Sequence, residues 1–176
     1  MILIINTSGS GIELSVDDKI FKLDNAKQST ALPSAVTQFL NQNHIKPTDL
    51  THIGVIVGPG SFTGIRMGIA YAKGLGIGLN IPVIPVNVFE IYLHKTPDAF
   101  VALDSGRGDF FVAAHDMEPC VMDIDTVETE QMKYPRTVGH IPFDLRDARE
   151  IIENKIKSGD LQPAIPMYLR PSYAEK

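Results

Sequence analysis

Two hydrophobic rhythms divide the first half of the chain. Ile2-Leu3-Ile4-Ile5 is an unbroken apolar run, the pattern of a short strand covered on both faces. Ile12-Glu13-Leu14-Ser15-Val16 alternates with period two, and Ile20-Phe21-Lys22-Leu23 returns after Asp17-Asp18, a pair with hairpin-turn composition. Asn6-Thr7-Ser8-Gly9-Ser10-Gly11 reads as the turn between the first two runs, so three meandering strands are predicted. The period then lengthens. Leu32, Ala35, Val36, Phe39 and Leu40 fall on one side of an amphipathic helix of about three to four turns. Pro33 sits near its beginning, where a missing amide is tolerated, and Asn41-Gln42-Asn43 with Pro47 end it. Ile53-Gly54-Val55-Ile56-Val57 is a second buried strand, followed by a glycine-rich helix through about Gly78. Pro82-Val83-Ile84-Pro85-Val86 predicts another strand, and Val88, Phe89, Tyr92 and Leu93 another helix.

Pro97 marks the expected lobe boundary, dividing the chain into residues 1–96 and 97–176. Phe100-Val101-Ala102-Leu103 and Asp109-Phe110-Phe111-Val112-Ala113-Ala114 pair around Asp104-Ser105-Gly106-Arg107-Gly108. Further strands are expected at Pro119-Cys120-Val121-Met122 and Thr137-Val138-Gly139, with His115-Asp116 at a strand end and His140 in a bend. Leu145, Ala148, Ile151, Ile152 and Ile156 give a last amphipathic helix ending at Ser158-Gly159. The prolines of the segment from Pro163 through Tyr168 to Tyr173 make an extended tail, and its aromatics suggest docking. The element order resembles the ribonuclease-H-like core of the actin and sugar-kinase superfamily. The expected fold class is therefore α/β: an actin-like (ASKHA) N-terminal lobe with a reduced C-terminal α/β lobe.

Composition narrows the setting. Of 176 residues, 44% are hydrophobic and 21% charged, a globular balance. No apolar stretch reaches the roughly 20 residues a membrane span needs, and Met1-Ile5 lacks the features of a secretory signal. Cys120 is the sole cysteine, which leaves no internal disulfide or cysteine-based zinc site and makes a cytoplasmic location the expectation. The formal charge of -5, from 16 Lys and Arg against 21 Asp and Glu, argues against a protein that grips nucleic acid with its own surface.

The most specific motif is Gly58-Pro59-Gly60-Ser61-Phe62-Thr63-Gly64-Ile65-Arg66-Met67-Gly68, at a strand-to-helix transition. One reading is a phosphate turn: glycines free to take positive torsions, Ser61 or Thr63 as a cap, and exposed amides at the helix start. The run lacks a Walker lysine and dinucleotide glycine spacing, however. The other reading is close packing. Gly64, Gly68, Ala72 and Gly76 are four apart on one side, with Gly74 and Gly78 widening the bare surface. Each interior glycine costs about 1 kcal/mol against alanine, so the series requires close approach of a backbone, either the chain's own sheet or a second subunit. Arg66 and Lys73 share a polar direction.

Conventional catalytic constellations are weak. The histidines at 44, 52, 94, 115 and 140 include no pair three or four apart, unlike a helical two-histidine metal site. Ser61 lies outside the glycine spacing of a hydrolase elbow. Asp104, Arg107 and Asp109 cluster at a hairpin, read either as ordinary charges of a solvated turn or as groups that orient one another or a partner, and Cys120 has apolar neighbours.

The Gly58–Gly68 run resembles the signature of the bacterial TsaB (YeaZ) family, the non-catalytic member of the machinery that adds threonylcarbamoyl to adenosine 37 of tRNAs reading codons that begin with A. The resemblance extends to Ile2–Val16, Ala31-Leu32-Pro33, Pro82-Val83, Asp104–Asp109 and Pro166-Met167-Tyr168-Leu169-Arg170. It implies pairing with a TsaD-like catalytic subunit through N-terminal-lobe helices, homodimers through the same surface when alone, and a TsaE-like ATPase recruited by the assembled complex. The implied partner surface comprises Ser34, Gln38, Asn41, Gly64, Arg66, Met67, Gly68, Tyr71, Ala72 and Lys73. It also implies no catalytic residue, cofactor or metal on this chain, with ATP and metal on the partners and tRNA touched only indirectly. Two departures stand out. Asn6-Thr7-Ser8 replaces the family's Asp-Thr-Ser, where nucleotide-hydrolysing relatives use the aspartate to position metal-bound phosphate, and Lys27 replaces a histidine.

Overall fold

In the computed structural model of the chain, which describes residues 1–25, 27–139 and 141–170, the alternating N-terminal pattern forms β1 (Ile2–Asn6), β2 (Ile12–Val16) and β3 (Lys19–Leu23). Asp17 takes the left-handed conformation, φ 55°, in the tight turn between β2 and β3. Helix α1 (Gln28–Gln42) starts at Gln28, where Lys27 O accepts from Thr30 N at 3.1 Å and Ala31 N at 3.0 Å. Pro33 therefore sits in the second turn. Then come β4 (His52–Ile56), α2 (Phe62–Leu79), β5 (Val83–Val86) and α3 (Val88–Lys95). Asn80 stops α2 in a left-handed cap, φ 55°.

Beyond α3 the strands are β6 (Phe100–Asp104), β7 (Asp109–Ala114), β8 (Met117–Asp123) and β9 (Thr137–Val138). His115-Asp116 is the turn between β7 and β8 rather than a strand end. Helix α4 (Ile124–Glu130) follows β8 and escaped the periodicity reading, being too short to show a period. Asp123 caps it by accepting from Thr126 N at 2.8 Å. The last helix is α5 (Ala148–Ser158). His140 and Pro171-Ser172-Tyr173 lie outside the described residues.

The chain groups into two compact units, and the grouping departs from the expected cut after residue 96. Met1–Asn87 joins Asp144–Met167 in the first unit, while Val88–Phe143 joins the chain from Tyr168 in the second. The physical reason is α5. Its buried face, Ala148, Ile151 and Ile152, belongs with the first sheet.

That sheet has the order β3-β2-β1-β4-β5, antiparallel among the first three strands and parallel across β1, β4 and β5. Strand alternation sends Leu3, Ile5, Ile12, Leu14, Ile53 and Val55 into one core with α1 and α2. Ile4, Gly54, Ile84 and Val86 take the opposite parity, and the Ile152 side chain packs over Gly54. Helices α1 and α2 thus lie side by side on one face, with α5 on the other. The second unit's sheet, β8-β7-β6-β9, is packed around Phe100, Val112, Ala114 and Val127, with Cys120 and Tyr134 against that cluster. Among the described residues no helix is long and apolar enough to cross a membrane.

Candidate partner-binding surface

The turn after β1 and the head of α2 form one hydrogen-bonded knot. Ser8 donates its backbone N–H at 3.0 Å and its hydroxyl at 2.7 Å to Asn6 Oδ1. Asn6 Nδ2 donates to Glu13 Oε2 at 2.9 Å, and Glu13 holds Lys22 at 2.6 Å, a bond that raises the Lys22 pKa. Both hydrogen bonds to the Asn6 side-chain oxygen thus come from Ser8, inside the same turn. Ser61 N donates to Ser8 O at 2.7 Å, and Ser61 Oγ caps α2 by accepting from Gly64 N at 3.2 Å. Gly60, at φ 153°, lies so close to Ser8 that a side chain would collide with Ser8 O. The Gly58–Gly60 turn therefore closes onto the chain itself.

The small-residue face of α2 has the same destination. Gly64, Gly68, Ala72 and Gly76 are buried. A Cβ on Gly64 would strike Thr7 O, one on Gly68 would strike Thr7 Oγ1, and one on Gly76 would lie 2.7 Å from Val83 Cγ2. Thr7 Oγ1 also donates to Gly64 O at 2.7 Å. Of the two expected uses of close packing, the chain's own sheet and β1 turn take this face. Gly64, Gly68 and Ala72, expected as partner contacts, lie on this internally packed face.

What α2 presents outward is different. Arg66 and Lys73 are exposed, Met67 and Tyr71 half-buried, and Ala70, Gly74 and Gly78 exposed, with open space where Cβ atoms on both glycines would stand. Ile77 is 83% exposed. The Arg66 guanidinium stacks over Phe62, 3.8 Å from the ring centroid, so it lies along the helix. Burial raises the Tyr71 phenol's pKa. On α1, Ser34, Gln38 and Asn41 are exposed, with Ser34 Oγ donating to Ala31 O at 2.9 Å. The packing of α1 against α2 brings the polar positions of both helices onto one side of the sheet.

A family model described as TsaD, tRNA N6-adenosine threonylcarbamoyltransferase, matches residues 24–168. The chain belongs to this family. Its relatives there include TsaB, the tRNA threonylcarbamoyladenosine biosynthesis protein of Bacillus subtilis strain 168, 38% identical over 96 residues, or 51% of this chain and 42% of that protein. The tRNA N6-adenosine threonylcarbamoyltransferase of Chlorobium phaeobacteroides is 28% identical over 116 residues, covering 60% of this chain and 31% of that protein. The chain thus matches less than half the length of either relative. YeaZ from Pseudomonas aeruginosa superposes with a TM-score of 0.74 at 17% identity, covering 96% of this chain and 99% of that one, so the fold is shared. Homology to TsaB (YeaZ) proteins is what the Gly58–Gly68 run implied.

Within this family member, the sequence reading missed two anchors. Gln28 Nε2 lies 2.8 Å from Gly11 O, 2.9 Å from Gly9 O and 3.1 Å from Thr7 O, gathering the whole β1–β2 turn. No signal in the sequence singles Gln28 out; Lys27, the N-cap of α1, makes no side-chain cap bond. In the second unit, Arg170 donates to Asp109 and to Ser105 Oγ at 3.1 Å, with its guanidinium 5.4 Å from the Phe111 ring centroid. Ser105 Oγ also bonds Asp109, and Asp104 accepts from Gly106 N at 2.7 Å. Asp109 is thus anchored by the chain's own tail, while Arg107 is exposed. Among the described residues no three His, Cys, Asp or Glu side chains gather as a metal site.

Proposed function

We propose that the chain is a non-catalytic accessory subunit that binds a TsaD-like transferase and supports threonylcarbamoylation of adenosine 37 in tRNA. The partner surface is the outward side of α1 and α2: Ser34, Gln38 and Asn41 with Arg66, Met67, Tyr71 and Lys73. The carrying observation is the contrast across α2. Its inner face and head pack against Thr7 and Ser8, whereas its outer face combines open glycines, half-buried Met67 and Tyr71, and exposed Ile77. That apolar centre with polar surroundings is the composition of a protein-binding patch.

In this reading the transferase carries the metal and the reacting groups, and this chain stabilises its productive arrangement. A TsaE-like ATPase joins the assembled pair, and the same helices support a homodimer when the chain is alone. The net charge of -5 fits RNA held mainly by the partner. The test is reconstitution of tRNA modification from cognate components with and without this chain. Full dependence of product on the chain is expected; equal product without it refutes the assignment. Arg66→Ala is expected to weaken pairing by about fivefold to tenfold, read by calorimetry, with unfolding temperature unchanged.

A further inference from the structure

We propose that Gln28 is the positioning residue that sets the α2 partner surface, by fastening the start of α1 to the turn on which α2 is seated. This rests on the α1–α2 reading of the partner surface. The side-chain nitrogen faces three carbonyl oxygens, of Thr7, Gly9 and Gly11, all in the short turn between β1 and β2. Backbone carbonyls converging without a donor repel one another, so the turn holds this shape because an amide NH2 stands among them. The turn in turn seats α2: Ser8 O receives Ser61 N at 2.7 Å, Thr7 Oγ1 donates to Gly64 O at 2.7 Å, and the Thr7 side chain fills the space beside Gly68. A Cβ on Gly64 would lie 2.8 Å from Gln28 Oε1, so Gln28 itself packs against the first turn of α2.

Sequence and position fit this role better than ordinary capping. The N-cap of α1 is Lys27, which makes no side-chain cap bond, and Gln28 reaches back to the preceding turn instead of to its own helix. One side chain therefore links the starts of both helices that carry the proposed surface. Losing it leaves the core of the first sheet in place while freeing the α2 head, which is where Phe62 and the stacked Arg66 begin the outward face.

The experiment compares wild type, Gln28→Ala and Gln28→Glu in the full chain by amide hydrogen exchange and by calorimetric titration with the cognate TsaD-like subunit. The Ser61 amide is the local reporter. In Gln28→Ala it is expected to exchange at least about tenfold faster while the Val55 and Ile5 amides keep their protection, and pairing is expected to weaken about tenfold. Gln28→Glu sets a carboxylate against the three carbonyls, so its Ser61 exchange and pairing defects are expected to recede as pH falls and the acid regains a donor. This within-molecule titration carries the test where Gln28→Ala is too unstable to purify. Unchanged Ser61 protection in Gln28→Ala, or a Gln28→Glu defect independent of pH, overturns the positioning role. Loss of protection with undiminished pairing overturns its link to the surface. Failure of the wild-type chain to bind the transferase instead removes the partner reading, while Ser61 exchange still decides whether Gln28 positions α2.

Discussion

Gly68 and Gly74 belong to the same helix and were both expected to serve a bare contact surface, yet their surroundings give them opposite sensitivities. Gly68 faces Thr7 Oγ1, which is already committed to Gly64 O at 2.7 Å. Gly68→Ala gains about 1 kcal/mol in helix propensity but must displace Thr7, a β-branched side chain in a buried turn, and a net destabilisation of about 1–3 kcal/mol is expected. Gly74 has open space where a Cβ would stand, so Gly74→Ala is expected to stabilise the chain by about 0.5–1 kcal/mol. Urea denaturation of both variants checks the pair. A neutral Gly68→Ala sinks the assignment of that face to internal packing. The four-residue spacing announced that something must approach α2 closely; it carried no information on whether the approaching group was Thr7 of the same chain or a second subunit.

At the scale of elements, the first sheet was legible because β1 to β5 and the helices between them are contiguous and strongly patterned. The membership of α5 was not. An amphipathic stripe of Ala148, Ile151 and Ile152 specifies that one face is buried, without naming the sheet that buries it, and many residues separate α5 from Gly54 and Ile4. Gln28 was illegible for a related reason: glutamine is an ordinary residue in a first helical turn until the fold brings three carbonyls to it. The turn leading into α5 adds an acid-sensitive contact. Asp144 accepts from Arg146 N at 3.0 Å and pairs with the Arg146 guanidinium, whose side-chain hydrogen bond pulls the Asp144 pKa from 3.8 down to about 2. Because the folded value is depressed, the pair's contribution is complete above about pH 4 and disappears as pH falls toward about 2. Asp144→Asn is therefore expected to make the unfolding temperature fall less steeply than wild type over that window. Both side chains reach solvent, so the difference should shrink in high salt; parallel curves for the two proteins would remove the contact from the acid response.

For the whole molecule, Asp144–Met167 groups with the first unit, so the N-terminal segment bearing the proposed partner surface is expected not to fold by itself. A fragment ending at residue 96 would keep α1 and α2 over Leu3, Ile5 and Val55, but it would lose Ile152 and Ala148 from the opposite face, where Ile4, Ile84 and Val86 lie. It would also lose Ala164, buried in the α1–α2 core, and the Met167 N–H that donates to Val57 O at 2.7 Å beside the Gly58 turn. Uncovering one side of a sheet exposes side chains each worth about 1.5–3 kcal/mol in burial, comparable in sum with the entire stability of a domain. The fragment is expected to show no cooperative thermal transition and to bind a hydrophobic dye. Adding residues 144–167 to it through a flexible linker is expected to restore a cooperative transition, since the missing layer and the tail contacts return together. Calorimetry decides between the alternatives: a sharp transition in the unextended fragment near that of the full chain would make α5 an accessory layer, whereas rescue by the linked segment makes the discontinuous unit the true scaffold of the partner surface.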